Sequence, residues 1–406
     1  MKLLIISQYF WPENFRINDL VAELVKRDHQ ITVLTGKPNY PEGKIFSEYL
    51  EDPERFSTYY GVSIIRVPLW PRGRNKFSLI LNYFSYAISA TIFGVFKFWR
   101  TKFDVIFVFE PSPITVGLPA VTLRFFKRRP VVFWVLDQWP ESLSAVGVVK
   151  SKRILKWVGL LVSFIYARCD LILSQSRSMI NQIARYAKSQ QEIQYFPNWV
   201  ESNYENCVVE QATEIVPFNE GFTILFAGNI GEAQDFPAIL NAAEQLLKHK
   251  NIRWIVIGDG RLLEWVRIEI SRRGLGNNFI LLGRFPAERM PSFYQHADAL
   301  LVSLKPDPIF NVTVPGKVQS YLAAGVPILG MLNGEGAQVI QEAKAGITCS
   351  AGDSNALAEI ILTMSQLSIS ERQVMGQNGK NYSKAEFNRA NLVSQLELWF
   401  KMLISK

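Results

Sequence analysis

The stretch TVPGKVQSYLAAGVPIL, residues 313–329, contains the unit from which the fold is built. It opens as a loop and places Pro315 and Gly316 where a helix should begin. It then reads as a helix over Gly316–Ala324, turns at Gly325, and enters a short apolar strand, Pro327–Leu329. Proline suits a first helical turn because its missing N–H needs no partner there. Ala323, Ala324 and Gly325 are small enough to let the helix lie close on a sheet. A helix entered from a loop and left into an apolar strand is the repeating unit of a parallel α/β sheet.

The same alternation extends in both directions. Upstream, Thr223–Ala227, Trp254–Gly258, Phe279–Leu282 and Ala299–Ser303 read as strands, with helices expected at Asp235–Leu247, Leu262–Arg273 and Ala287–Gln295. In the first half, strands are expected at Lys2–Ser7, Gln30–Thr35, Ser63–Val67, Asp104–Phe109, Val131–Leu136, Leu171–Ser174 and Ile193–Phe196. Helices such as Ile17–Arg27, Thr115–Phe126 and Ser151–Arg168 lie between them. Continuous apolar strands separated by helices predict doubly wound parallel sheets covered on both faces. The polar stretch from Glu201 to Gly221 predicts a linker. The expected organisation is a Rossmann-like domain over 1–200, a second over 222–385, and a closing helix over 386–406. Ligand is expected in a cleft at the carboxyl ends of the strands. A chain of 406 residues is also too long for one ordinary core.

Composition narrows the function classes. The three cysteines, Cys169, Cys207 and Cys349, are scattered, and so are the three histidines. Neither a disulfide framework nor a metal site is indicated, and a reducing compartment fits best. Residues 1–200 carry a net charge of +11 and residues 201–406 a net of −3. A basic first half implies an anionic partner there. No nucleic-acid motif is present, so the expectation is anionic lipid or a phosphorylated substrate. Residues 77–99, FSLILNYFSYAISATIFGVFKFW, are nearly all apolar, with Arg72, Arg74 and Lys76 before them and Lys97, Arg100 and Lys102 around their end. Three readings compete: a buried helix of the first domain, a membrane-spanning helix, and a helix partly inserted into one leaflet. Strands on both sides argue against a span. Further basic clusters (Arg124, Lys127, Arg128, Arg129; Lys150, Lys152, Arg153, Lys156) favour the leaflet.

The second half holds the candidate phosphate chemistry. Ala227-Gly228-Asn229-Ile230-Gly231 lies between a strand and a helix, where glycines let backbone N–H groups approach phosphate. Gly258-Asp259-Gly260 ends the next strand and reads as a plain turn. Pro315, Gly316 and Lys317 combine a helix N-terminus, room for close approach and a cation, which together suit a diphosphate.

These motifs in this order, AGNIG, IGDG, LLGRFP, HADALLVS and TVPGKVQSYLAAGVPIL, resemble the donor half of family 4 glycosyltransferases, which have the GT-B architecture. YFWPENFRIND, TGKPNYPEG and VLDQWPES in the first half agree. The similarity is greatest to the bacterial branch that builds O-antigen, capsule and exopolysaccharide, and within it to N-acetyl-L-fucosaminyltransferases. The resemblance implies retaining transfer without metal or cofactor. The donor would be a nucleotide-sugar, UDP-N-acetyl-L-fucosamine being favoured, and the acceptor an undecaprenyl-diphosphate-linked saccharide. The enzyme would sit peripherally on the cytoplasmic face of the inner membrane, against anionic lipid. Gly228, Asn229, Gly231 and Gln234 would face the donor phosphates, Arg284 and Phe285 the base, and Thr313, Val314, Pro315, Gly316 and Lys317 the diphosphate. Asn14, Arg16, Asn39, Tyr40 and Glu141 would serve the acceptor. Asp137, Glu13 and Lys317 would act in catalysis, with helix capping as the alternative for Asp137. Relatives carry two glutamates eight positions apart where this chain has Val312 and Ser320. They also carry a histidine where it has Leu136, and a basic pair where it has Asn229 and Gln234. A nucleotide-sugar epimerase of the same architecture and an inactive, membrane-bound assembly partner are the rival readings. No Gly-x-Gly-x-x-Gly follows the first strand, which argues against a dehydrogenase.

Overall fold

The computed structural model describes residues 1–73, 75–145, 149, 151–200, 212–216, 218 and 221–405. Arg74, Lys150, Cys207 and most of the expected linker lie outside them. The chain divides into two compact units, Met1–Pro197 with Ala390–Lys406, and Asn198–Arg389.

The first unit is built on strands β1 (Lys2–Ile6), β2 (Gln30–Gly36), β3 (Thr58–Tyr59), β4 (Val62–Val67), β5 (Val105–Glu110), β6 (Val131–Val135), β7 (Leu171–Ser174) and β8 (Ile193–Tyr195). They form one sheet in the order β3-β4-β2-β1-β5-β6-β7-β8. Every pairing is parallel except β3 with β4. The order grows outward from β1 and β5 in opposite directions. That reversal is the place where loops at the carboxyl ends separate and make room for ligand. Helices α1 (Arg16–Lys26), α2 (Ser47–Glu51), α3 (Lys76–Lys97), α4 (Gly117–Lys127), α5 (Glu141–Ala145), α6 (Lys152–Tyr166) and α7 (Arg177–Ala184) connect the strands. Every residue of β5 and β6 is buried, as apolar strands covered on both faces require.

The second unit repeats the plan with β9 (Phe222–Ala227), β10 (Ile252–Ile257), β11 (Phe279–Gly283), β12 (Ala299–Ser303), β13 (Ile328–Met331) and β14 (Gly346–Cys349), in the all-parallel order β11-β10-β9-β12-β13-β14. Its helices are α8 (Phe236–Gln245), α9 (Leu263–Arg272), α10 (Met290–Tyr294), α11 (Gly316–Ala324), α12 (Glu335–Glu342), α13 (Ser354–Gln366) and α14 (Ile369–Glu386). The switch point here lies between β9 and β12, and α11 starts from the loop after β12. Gly325 ends α11 in the left-handed conformation at φ 73°, the C-terminal glycine signature.

The structure departs from the sequence expectation in four places. The last helix, α15 (Arg389–Ser405), belongs to the first unit from Ala390 onward. Phe400 packs edge-on against Phe107 of β5 at 6.0 Å, and Trp399 against Phe196 at 6.0 Å. Arg27 and His29 reach Glu397 at 2.9 and 2.6 Å. The described end of the expected linker is packed on the second unit: Ala212 and Ile215 are buried in its core, and Glu214 pairs with Arg289 at 2.7 Å. Ala287–Gln295 is not one helix but a 3-10 turn, Ala287–Arg289, followed by α10, whose first turn holds Pro291. α12 and β14 were not expected, because GITC is too short and too mixed to announce a strand.

α3 is the one helix among the described residues long and apolar enough to cross a membrane. Asn82, Tyr83, Tyr86, Ala87, Ala90 and Gly94 recur at helical spacing and are buried against the first unit. Its opposite face is also apolar yet exposed: Phe77, Phe84, Ile88 and Phe96 are 70, 51, 60 and 78% accessible. The fully buried reading of this segment therefore fails.

Candidate active site

In the second unit, three loops meet above the carboxyl ends of β9 and β10. Gly258, at φ 150°, lets the loop after β10 lie against the loop after β9; an added Cβ would stand 1.8 Å from the Gly228 carbonyl oxygen. A Cβ on Gly260 would likewise meet the Ile230 oxygen at 2.3 Å. These glycines are thus the reason the phosphate-type loop has its shape, beyond the plain turn expected of them. Gly258→Ala should lower stability by about 2–4 kcal/mol, through both overpacking and positive φ. Gly274→Ala, at φ 68° with open space around it, should cost about 1 kcal/mol. Denaturant melts of the two variants check the contrast.

Lys317 lies under this loop. It is the second residue of α11, and Gly228 makes room for it: a Cβ there would stand 2.4 Å from Lys317 Cε. Its Nζ sits 3.6 Å from the centroid of the Phe226 ring, is buried, and has no hydrogen-bond partner. Burial pulls the amine down to about 7. A buried cation on an aromatic face, beside glycine N–H groups and a helix N-terminus, suits an anionic ligand. Val314 is buried and Pro315 caps the helix, while Gly316 faces open space. Asn229 Nδ2 donates to Gln234 Oε1 at 3.3 Å, so these two polar side chains close the loop upon itself. Arg284 is exposed, and Phe285 packs at a tilt against Phe293, with ring centroids 4.7 Å apart.

In the first unit, the loops after β1, β2, β5 and β6 hold the polar groups. Glu13 is 1% exposed; its Oε1 accepts from the N–H groups of Asn39 and Tyr40, both at 2.8 Å, and its Oε2 from Phe10 N–H at 3.2 Å. Burial pushes Glu13 up to about 7, against those three bonds. Asn39 is fully buried; its Oδ1 accepts from Arg72 N–H at 3.0 Å and from Asn82 of α3 at 3.3 Å. Arg72 donates to the Tyr9 hydroxyl at 2.9 Å and lies over the Tyr40 ring. Glu13 and Asn39 therefore brace two loops against each other, and neither offers a free polar atom to a ligand. Asn14 is exposed, and Arg16 opens α1, 3.6 Å from Asp19.

Asp137 is the second residue of the loop from β6 to α5. Its Oδ2 accepts from Trp139 Nε1 at 3.0 Å, and Ser112 and Ser142 also bond to it. Its partners are side chains and the Gln138 N–H, not the pattern of a helix cap. Burial raises its carboxyl above the ordinary aspartate range despite these bonds. Beneath it stands Glu110, the last residue of β5 and wholly buried. Glu110 Oε2 accepts from Asp137 N–H at 3.4 Å, and its Oε1 has no partner. Burial, then the Asp137 charge, hold Glu110 well above the usual carboxylate range. Among the described residues, no group of three or more His, Cys, Asp or Glu gathers to hold a metal.

Sequence comparison now gives this geometry a family. Residues 14–199 match the profile described as glycosyl transferase 4-like domain, and residues 221–366 that of glycosyl transferases group 1. The chain is a family 4 glycosyltransferase. A putative colanic acid biosynthesis glycosyl transferase, WcaI of Escherichia coli (strain K12), is 24% identical over 341 residues, which is 80% of this chain and 82% of that one. Anabaena Alr3699/HepE, solved in complex with UDP, superposes with a TM-score of 0.71 at 12% identity, covering 99% and 100% of the two chains. WaaG, a glycosyltransferase involved in lipopolysaccharide biosynthesis, does so at 0.63 and 13%, covering 99% of each. The fold is GT-B, and the activity is nucleotide-sugar-dependent glycosyl transfer.

Within this transferase the structure gathers Gly228, Gly231 and Lys317 into one site in the second unit, and Asp137 and Glu141 onto one loop in the first. Sequence reading overlooked Glu110 and Tyr186. Glu110 could have been found: it is an acid closing the otherwise apolar strand VIFVFE. Tyr186, which donates to Glu141 Oε1 at 2.9 Å, lies 45 residues away and gives no such signal.

Proposed function

We propose that this transferase moves a sugar, with retention of anomeric configuration and without a metal, from a UDP-linked donor to an undecaprenyl-diphosphate-linked saccharide in bacterial surface-polysaccharide synthesis. N-acetyl-L-fucosamine is the favoured donor sugar, on the resemblance described above. The observation that carries the reading is the buried, unpartnered Lys317 ammonium beneath Gly228. In the reaction, the bond between the anomeric carbon and the diphosphate oxygen breaks. An acceptor hydroxyl oxygen bonds to the same face of that carbon, and its proton passes to the departing diphosphate. The protein must then stabilise charge on the diphosphate. Lys317 and the first N–H groups of α11 suit that task. Asp137 is placed to orient the acceptor hydroxyl or to stabilise positive charge on the sugar.

The work is proposed to take place at the cytoplasmic face of the inner membrane. Exposed apolar side chains on α3, at the end of α4 (Phe125) and on α6 (Trp157) are flanked by Lys76, Lys97, Arg100, Lys102 and Arg128, a combination that suits one leaflet of anionic lipid. The names of the relatives, colanic acid and lipopolysaccharide transferases, are consistent with a surface polysaccharide.

The test is transfer itself. The purified protein is given UDP- and GDP-sugars and an undecaprenyl-diphosphate monosaccharide, with EDTA, and products are read by mass spectrometry. A one-sugar mass gain from a single UDP donor is expected. Bound donor without product would favour the assembly-partner reading, and free epimerised donor the epimerase.

A further inference from the structure

The first unit carries a groove of 640 Å³ between α5, α6 and the end of α7. Glu141, Lys152, Lys156, Leu160, Arg185 and Tyr186 are among its walls. Its floor is built: the Tyr186 ring lies on Gly159, where an added Cβ would already be 3.0 Å from the ring, and its hydroxyl holds Glu141. Three cations face one carboxylate, and among the described residues no ion pair engages Lys152, Lys156 or Arg185. Pro140 and Glu141, which follow Asp137 in the chain by three and four residues, are also among the groove's walls. On α6, the lining positions 152, 156, 159, 160 and 163 form one helical stripe. Beside it runs an exposed apolar stripe, Trp157, Leu160 and Phe164, at 73, 53 and 41% accessibility. Leu160 belongs to both.

A ligand that satisfies all of this has a compact polyanion, an apolar chain leaving on one side and a polar group presented towards Asp137 on the other. We propose that this groove seats the diphosphate of a prenyl-diphosphate-linked acceptor, with Lys152, Lys156 and Arg185 as its cations and the Trp157–Leu160–Phe164 stripe as the bed of its first isoprene units. The proposal rests on the lipid-linked acceptor put forward above and gives that acceptor a place. A second basic cavity, of 1110 Å³, contains Arg128, Arg129, Phe125 and Phe126, with Pro130 before β6 and Asp170 before β7. It therefore lies at the amino ends of the strands, away from Asp137, and serves as the control.

Binding of farnesyl diphosphate, farnesol and inorganic diphosphate is measured by calorimetry with UDP saturating, so that the donor site is filled. The full-length protein should bind farnesyl diphosphate at least tenfold more tightly than either fragment. The double variant K156A/R185A should weaken it tenfold or more, and R128A/R129A should leave it unchanged. Equal loss in both variants would mean general charge attraction and would overturn the proposal. So would farnesol binding as well as its diphosphate, or no binding by a protein that still binds UDP. Tight, groove-dependent binding together with no transfer to any lipid-linked saccharide would instead overturn the acceptor reading and leave the groove standing.

Discussion

Lys317→Met should sharply weaken donor binding while making the empty protein harder to melt. The two effects have one cause. Burial holds the Lys317 amine at about 7, far below the ordinary lysine value of 10.5. Between these values the unfolded chain binds a proton that the folded chain does not. Stability from this group is therefore complete above pH 10.5 and falls as pH drops towards 7, at roughly 1.4 kcal/mol per unit. Below 7 the fold holds a buried charge with no hydrogen-bond partner in the protein, relieved only in part by the Phe226 ring. Methionine fills the same volume without that penalty, so the variant should gain about 2–4 kcal/mol at pH 7. It should lose a hundredfold or more in turnover, because the departing diphosphate meets no cation. The wild type should bind UDP less tightly as pH rises from 7 to 9, up to tenfold per unit, and should take up a proton on binding; the variant should show neither trend. Thermal melts with and without UDP, and calorimetry in buffers of different ionisation enthalpy, read all of this. A variant that melts lower and binds UDP normally would sink the assignment of Lys317 to the donor.

Asp137→Asn should lower turnover by a hundredfold to a thousandfold and leave UDP affinity within about twofold. The amide keeps the shape and retains a carbonyl oxygen for one of the donors around it, Trp139, Ser112 or Ser142, but carries no charge. Glu110 supplies the internal comparison. Because burial favours its uncharged form, Glu110→Gln should be close to wild type, whereas Glu110→Ala opens a cavity under the Asp137 backbone. Since Asp137 is raised, the acid limb of the pH–rate profile should lie above the ordinary aspartate range and disappear in Asp137→Asn. Parallel losses in turnover and UDP affinity would show that Asp137 serves the structure of the unit rather than the chemistry.

The sequence announced the two sheets because their strands are continuous apolar runs, and hydrophobic burial is what a parallel sheet needs. β5, β6, β9 and β10 needed no side-chain partner to be seen. The arrangement of the loop after β9 and the start of α11 was legible for a similar reason: Gly228, Pro315, Gly316 and Lys317 are set by backbone and helix position, which short motifs encode. The loop braces were not legible. Glu13 and Asn39 carry the residue types of a site, yet their oxygens are used by backbone N–H groups brought in by the fold. Nothing local distinguishes a carboxylate that meets substrate from one that meets Tyr40 N–H. The groove beside α6 was hidden for the opposite reason. Its cations looked like part of a membrane-facing cluster until Tyr186 and Arg185 arrived from α7 and the turn after it to close it.

The return of α15 to the first unit has a consequence for how such enzymes can be rearranged. In chain order the second unit is a cassette inserted into the first, entered at Asn198 and left at Arg389. Its two ends are stitched together, since Val200 N–H donates to the Phe387 carbonyl at 3.3 Å. A cassette with adjoining ends can be lifted out or exchanged for one that reads another sugar without re-routing the chain. Clipping the extreme C-terminus is the more damaging change. It would strip Trp399 and Phe400 from the first unit and leave the second untouched.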